Sequence, residues 1–112
     1  MTPAVLHILL SLAAEDRHGL GIAADVKAFS QGRLSLGPGT LYGTIKRLLE
    51  AGLVEDLGSP SADDTSTPLG AGPGDPRRRY YRITPKGRRA LERETDGLAT
   101  VLGVAKRRLK TS

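Results

Sequence analysis

The chain has 112 residues, with 17 Lys and Arg against 12 Asp and Glu, so its formal net charge at pH 7 is +5. This length accommodates one small domain, and 38% hydrophobic residues with a single Phe and no Trp predict a modest aliphatic core. The absence of Cys excludes disulfide scaffolds, thiolate nucleophiles and cysteine metal sites, and it favours an intracellular, cytoplasmic protein. Residues 4–14, the longest nearly apolar stretch, are too few to span a bilayer and lack a preceding basic segment, so no membrane association is expected.

Residues 3–14 are predicted to form a first helix, because Pro3 suits the first turn of a helix and the residues after it are mostly apolar. The apolar positions lie all round this helix, which predicts burial on more than one side. In a domain this small, such a helix is expected to pack against the rest of the fold and against a second subunit. Leu6 and Leu9 are therefore candidates for a dimer interface.

Two more helices follow. The second is short and amphipathic, because apolar residues recur at helical spacing over residues 22–29, and it ends near Gly32. After a turn, a third helix begins at Pro38 and is closed by Gly52. Its apolar positions are Leu41, Ile45, Leu48 and Leu49. The opposite face carries mostly small or basic residues: Gly39, Thr40, Gly43, Lys46, Arg47 and Glu50.

A two-stranded β-hairpin is predicted after the third helix. Residues 53–57 form a short candidate strand, and residues 79–84 alternate, with Tyr81 and Ile83 on the predicted core face. Residues 58–76 between them contain four Gly, four Pro and three Asp with almost no apolar side chains. That composition predicts a long, flexible tip.

The last helix is predicted to begin at Pro85, with Thr84 as its N-cap, and to run to about Lys110. Its less polar positions follow the spacing of a coiled-coil seam: Leu91, Thr95, Leu98, Leu102, Ala105 and Leu109. The expected architecture is mainly α with a small β-hairpin. The order of three helices, a strand, a long tip and a second strand is that of a winged helix-turn-helix, here followed by a C-terminal dimerisation helix.

Three segments resemble the PadR family of bacterial transcriptional regulators: HGLGIAADV at 18–26, LSLGPGTLYGTIKRLLEAGLVE at 34–55 and RRRYYRITPKGRRALERE at 77–94. PGTLY followed across the tip by RRYYRIT is specific as a combination. Because a single helix follows the hairpin, the chain is similar to the short branch of the family. Residues 1–84 are then expected to be the DNA-binding domain and residues 85–112 the dimerisation helix of the same compact unit.

The resemblance implies a homodimeric repressor that places its third helix in the major groove and its wing along the phosphate backbone or the minor groove. It also implies dimerisation through the first and last helices, for which the candidate residues are Leu6, Leu9, Leu91, Leu98, Leu102 and Leu109. The tip is longer than the usual family wing. Some short members bind flat aromatic drugs by Trp stacking, and the absence of Trp leaves such a role unsupported.

The exposed face of the third helix carries residues suited to reading DNA. Gly39 and Gly43 permit close approach of the backbone, and Thr40 suits a phosphate, a base edge or a thymine methyl. Lys46 and Arg47 suit phosphate or guanine acceptors. The alternative is that the glycines serve turn geometry or packing and that the basic residues are solvated surface charges.

Tyr42 and the wing are expected to add contacts to phosphate. Tyr42 lies at the flank of the third helix, where its hydroxyl can reach a phosphate, and Arg77, Arg78 and Arg79 enter or leave the wing. Residues 77–93 hold eight basic residues and one acid, which makes an electrostatic footprint for a polyanion. For the arginines of the last helix, the alternatives are solvation and pairing with acids of the partner.

The sequence therefore predicts a sequence-specific regulator of double-stranded DNA, a homodimeric repressor that binds a pseudo-palindromic operator. The alternative is a winged-helix protein-interaction module with only nonspecific DNA affinity. No nucleophile or base accompanies the acids, and neither histidine has partners at ligand spacing, so no enzymatic activity, metal or cofactor is expected. A small-molecule effector stays open, since either an effector cavity or a dry seam is compatible with Leu91, Leu98, Val101 and Leu102.

Overall fold

The computed structural model describes residues 1–58 and 79–110. It contains four helices, α1 (Pro3–Ala14), α2 (Gly19–Phe29), α3 (Pro38–Glu50) and α4 (Pro85–Lys110), and three strands, β1 (Arg17–His18), β2 (Val54–Gly58) and β3 (Tyr80–Ile83). The predicted fold class, a mainly helical winged helix-turn-helix with a long last helix, is confirmed. The predicted tip lies outside the described residues, apart from Gly58. None of the helices in the described ranges has the length and apolar character needed to cross a membrane.

Helix α1 forms the centre of the fold. Thr2 caps its N-terminus by accepting the Val5 N–H at 3.2 Å, and Pro3 occupies its first turn. It packs against α2, α3, α4 and β3, so the predicted burial on several sides is confirmed within one chain. Ile8 and Leu9 are fully buried there.

Helices α2 and α3 form the helix-turn-helix. His18 caps α2, because its Nδ1 accepts the Gly21 N–H at 2.9 Å. The helix is followed by Gly32 in the left-handed region (φ +77°), whose N–H donates to the Lys27 carbonyl at 2.8 Å. Helix α3 then begins with Pro38 in its first turn, as predicted.

The sheet has three antiparallel strands in the order β1-β3-β2, and not the two predicted from the sequence. The strand that the sequence did not predict is β1, whose Arg17 and His18 pair with Tyr81 and Tyr80 of β3. Two residues that run directly into a helix are too few to show strand alternation, so the sequence carries no signal for them. The predicted alternation in β3 is confirmed, because Tyr81 is buried on the core face while Arg82 is exposed.

Helix α4 is anchored at its start. Thr84 Oγ1 accepts the Gly87 N–H at 3.0 Å, as an N-cap should, and donates to the Gly52 carbonyl at 2.6 Å. A Cβ at Gly87 would collide with the carbonyl oxygen of Leu53, so a glycine allows the helix to lie against the end of α3. Of the residues of α4, all of which are described, Gly87 and Leu91 are buried. The C-terminal part of the helix therefore extends beyond the core.

The core is aliphatic, as the composition predicts, with one aromatic ring. Its members are Ile8, Leu9, Leu12, Ile22, Val26, Leu41, Ile45, Leu48, Val54, Tyr81, Ile83 and Leu91. Helix α3 contributes three of them from one face. The opposite face of α3 is thereby held outward on a rigid base.

Candidate nucleic-acid interface

The outward face of α3 is open along its length. Gly39, Thr40, Lys46 and Arg47 are exposed and Gly43 is half-buried. We call these five residues the reading face. They are brought together on one side of one helix because Leu41, Ile45 and Leu48 are buried on the other.

The two glycines of the reading face have no structural purpose within the described residues. A Cβ built on Gly39 or Gly43 meets nothing within 4 Å, and neither residue has the positive φ that favours glycine. A glycine in a helix interior lowers the stability of the helix by about 0.5–1 kcal/mol relative to alanine. Packing and turn geometry within the described residues therefore do not explain them, and the helix backbone is open to close approach at both positions.

Lys46 and Arg47 carry unneutralised charge. Neither forms an ion pair with any residue in the described part of the chain. The helix therefore presents two cations on the same side as the two glycines. A basic helix face with little side-chain bulk fits the major groove of DNA, where phosphates and base edges lie within reach.

Tyr42 does not fit the role predicted for it. Its hydroxyl oxygen is buried, and its ring lies against Gly19 of α2, where an added Cβ would come within 2.5 Å of the ring. The ring also packs against the core. Tyr42 therefore holds α3 against α2, and the predicted hydroxyl contact with phosphate is corrected.

Strands β2 and β3 are the described part of the wing, and Arg79, just before β3, binds within it. Arg79 Nη1 donates to Asp56 Oδ2 at 3.0 Å, and Asp56 Oδ1 accepts the Gly58 N–H at 2.7 Å within a β-bulge. Gly58 there has a φ of +75°, which glycine adopts without strain. Arg77 and Arg78, the other two arginines predicted to bind DNA at the wing, lie outside the described residues.

The basic residues of β3 and α4 also bind their own chain. Arg82 forms an ion pair with Asp16 at 2.9 Å, and Lys86 Nζ donates to the Ala51 carbonyl at 2.9 Å. Arg88 Nη2 donates to the Ala13 carbonyl at 3.4 Å. Several of the basic residues predicted to form a footprint for a polyanion therefore bind groups of their own chain and hold β3 and α4 in place.

Both histidines make structural contacts. His7 donates from Nδ1 to the Pro3 carbonyl at 2.7 Å and stacks on Phe29, with ring centroids 5.5 Å apart. His18 caps α2 and meets the edge of Tyr80 at 5.4 Å. Across residues 1–58 and 79–110, no group of three His, Cys, Asp or Glu side chains is arranged to hold a metal ion.

The predicted dimer residues divide into two groups. Leu9 and Leu91 are 0% and 6% exposed in the single chain, so they are core residues and their assignment to the interface is corrected. Leu6 is half-buried and packs against that core. Leu98, Leu102 and Leu109, by contrast, are 44%, 54% and 75% exposed along the outer part of α4. The difference arises because α1 crosses only the beginning of α4.

Comparison with known proteins gives a family and a set of similar folds. The sequence matches the family described as "Transcriptional regulator PadR-like family" over residues 5–93. A relative from Streptomyces fradiae, "Uncharacterized 37.1 kDa protein in transposon TN4556", is 34% identical over 96 residues. Those residues are 86% of this chain and 23% of the relative, so the chain spans less than a quarter of that protein.

Solved structures share the architecture. A PadR family transcription regulator from hypervirulent Clostridium difficile R20291 has a TM-score of 0.72 at 23% identity, covering 96% of this chain and 99% of that chain. A PadR-like transcriptional regulator from Bacillus cereus strain ATCC 14579 has a TM-score of 0.71 at 21% identity, covering 94% and 89% respectively. At these identities the likeness concerns the fold.

Proposed function

The chain belongs to the PadR-like family of transcriptional regulators, and on that premise we propose that it represses transcription as a homodimer bound to a pseudo-palindromic duplex. Each protomer inserts α3 into the major groove of one half-site. The half-sites lie about one helical turn apart. The protein does this in the cytoplasm, where it meets its operator, and it is a binding protein and not an enzyme.

The reading face is the observation that carries this proposal. It has two cations that form no ion pair with any described residue. It also has two glycines at which an added Cβ would meet no other atom of the described chain. Within this face, Thr40 and Arg47 are the side chains best suited to base edges, and Lys46 is suited to a phosphate. The positive end of the α3 dipole adds attraction for phosphate near Gly39. Arg79 contributes less, because Asp56 already accepts its guanidinium.

The outer part of α4 supports the homodimer. Its exposed apolar side chains, Leu98, Val101, Leu102 and Leu109, form a seam that a single chain leaves in water. A two-fold axis would place the seam of one protomer against the seam of its partner and so remove these side chains from water.

The first experiment is a binding titration with labelled duplex from immediately upstream of the protein's own coding region, against a shuffled duplex. A preference of about a thousandfold or more for the upstream duplex is the expected result, with a log–log salt slope near −5 to −9 if the dimer neutralises about six to ten phosphates. If no genomic duplex, including fragments selected from the whole genome, is preferred over the shuffled one, the protein is an interaction module with nonspecific DNA affinity and the proposal is wrong.

The dimer has its own test by sedimentation equilibrium. Leu102→Glu places a charge in the seam and is expected to yield monomer at concentrations where the unmodified protein is a dimer. Thr100→Glu, on the opposite side of α4, is the matched control and should leave the dimer intact. A monomeric unmodified protein, or equal dissociation of both variants, would contradict the seam.

A further inference from the structure

Arg82 joins three parts of the chain through one guanidinium. It lies on β3, the central strand, with its side chain on the outer face of the sheet. Its Nε and Nη2 grip both carboxylate oxygens of Asp16, at 3.2, 3.2 and 2.9 Å. Its Nη1 lies 3.8 Å from Glu55 Oε1 on β2. The fork-to-carboxylate geometry with Asp16 is the arrangement that fixes orientation best among ion pairs.

The position of Asp16 connects this ion pair to the helix-turn-helix. Asp16 lies between the end of α1 and β1, and β1 runs directly into α2. Strand β1 has only two residues paired with β3, so its ladder alone is a weak attachment. The contact between Arg82 and Asp16 adds a side-chain fastening at the same point. The contact therefore fastens the outer face of β3 to the segment that leads into α2.

The local charge argues against a direct contact of Arg82 with DNA. One positive guanidinium faces two carboxylates, so the cluster of Asp16, Glu55 and Arg82 has a net charge of −1. A phosphate approaching it meets net repulsion, and Asp16 already accepts the hydrogen bonds of Nε and Nη2. The cluster is solvent-exposed, so these charges act at the surface where a duplex would pass.

We infer that Arg82 is a positioning residue of the DNA-binding site, which holds the wing in register with the reading face through Asp16 and makes no contact with phosphate itself. This inference rests on the proposed function. It differs from the direct reading of the basic run, in which Arg82 is one more cation of the footprint. The two readings predict opposite signs for the loss of the Asp16 charge.

The test compares the affinities of Asp16→Asn, Arg82→Gln and the double variant for the operator duplex that the titration under the proposed function is designed to find. A positioning pair predicts that both single variants bind about three- to fivefold more weakly, because an exposed ion pair has limited strength, and that the double variant is no weaker than either. The salt slope should stay within about 0.5 of the unmodified value. Glu15→Gln, which removes the same charge one residue away, is the control and should not weaken binding, because Glu15 pairs with Arg17.

Three results would overturn the inference. If Arg82 contacts phosphate, Asp16→Asn binds more tightly because it frees that guanidinium, and Arg82→Gln lowers the salt slope by about 1 for each protomer. Equal weakening by Glu15→Gln would assign the effect to any loss of charge at the corner. Additive losses in the double variant would show that the two side chains do not act as a pair.

A measurement without DNA separates this inference from the proposed function. Amide hydrogen exchange reports the β1–β3 ladder at the one residue pair, Arg17 with Tyr81 or His18 with Tyr80, whose N–H groups bond across the two strands. It is expected to quicken in Asp16→Asn and Arg82→Gln by more than in Glu15→Gln, which removes only the ion pair of Glu15 with Arg17. Unchanged exchange in the first two variants would overturn the fastening even if an operator is found. Faster exchange with no preferred duplex would leave the fastening intact and contradict the proposed function.

Discussion

The reading face of α3 and the base of the wing are both basic, yet the chain uses their charges in different ways. Lys46 and Arg47 have no ion-pair partner among the described residues, whereas Arg79 and Arg82 are bound to carboxylates of neighbouring strands and turns. Lys86 likewise donates to the carbonyl of Ala51, at the end of α3. Basic residues are densest along the sequence in the segment where most of the described ones bind carboxylates or carbonyls of the same chain.

The glycines of the two regions differ in the same way. Gly87, at the start of α4, is required because a Cβ would collide with the Leu53 carbonyl. Gly43, on the reading face, has open space where its Cβ would be. A contact within the chain explains Gly87, whereas no contact among the described residues explains Gly43. The start of α4 is therefore packed against its own chain, whereas the reading face is open among the described residues.

The largest expected effect is on stability, at Gly87. Gly87→Ala should lower the free energy of unfolding by roughly 2–3 kcal/mol, because α4 must move away from a backbone atom that cannot yield. Urea unfolding followed by circular dichroism measures it. An unchanged urea midpoint would show that α4 does not lie where this contact requires.

The next effect is on binding, at the cations of the reading face. Lys46→Ala and Arg47→Ala should each weaken operator binding about tenfold or more while changing the free energy of unfolding by less than about 0.5 kcal/mol. Lys86→Ala is the matched control, a basic residue engaged by its own chain, and should lose a little stability and little affinity. If Lys86→Ala weakens binding as much as the α3 variants, the contrast between the two regions fails.

A smaller effect of opposite sign is expected at Gly43. Gly43→Ala should raise the free energy of unfolding by about 0.5–1 kcal/mol, since alanine favours the helix and meets nothing in the chain. The same methyl group should weaken operator binding by holding α3 away from the groove. A stabilised variant with full affinity would mean that DNA does not approach this glycine.

The smallest effect is confined to alkaline solution. Burial raises the pKa of the Tyr81 hydroxyl above the usual 10.0, and the nearby Asp56 charge adds to the rise. Tyr81 ionises first in the unfolded chain, so its contribution to stability is complete below about pH 10 and is lost as the pH rises through the raised pKa. Urea midpoints against pH should therefore fall more steeply for the unmodified protein than for Tyr81→Phe. Parallel curves would contradict a buried Tyr81.

Much of the fold was predictable because its signals are local. The helical spacing of the apolar residues gave α1 to α4 to within a few residues, and Thr84 was correctly predicted as the N-cap of α4. Strand β1 was missed because two residues cannot show a period. The ion pair of Asp16 with Arg82 was missed for a related reason. The two residues are far apart in the sequence and only the pairing of β1 with β3 brings them together.

The candidate site was predicted in part. The sequence alone identified the reading face, because one helix with a buried stripe determines its own opposite side. It assigned Tyr42 to phosphate and Leu9 and Leu91 to a dimer, and only the packing within the folded chain showed that these side chains face inward.

The sequence by itself determined the family, the helices and the outward face of α3, since periodicity and short motifs lie within single segments. The tertiary structure decided which charges and which glycines remain available to a partner. Availability depends on what the other segments place beside each residue. Glu55 and Asp56 of β2 and Asp16 before β1 pair with Arg79 and Arg82, while no carboxylate among the described residues pairs with Lys46 or Arg47.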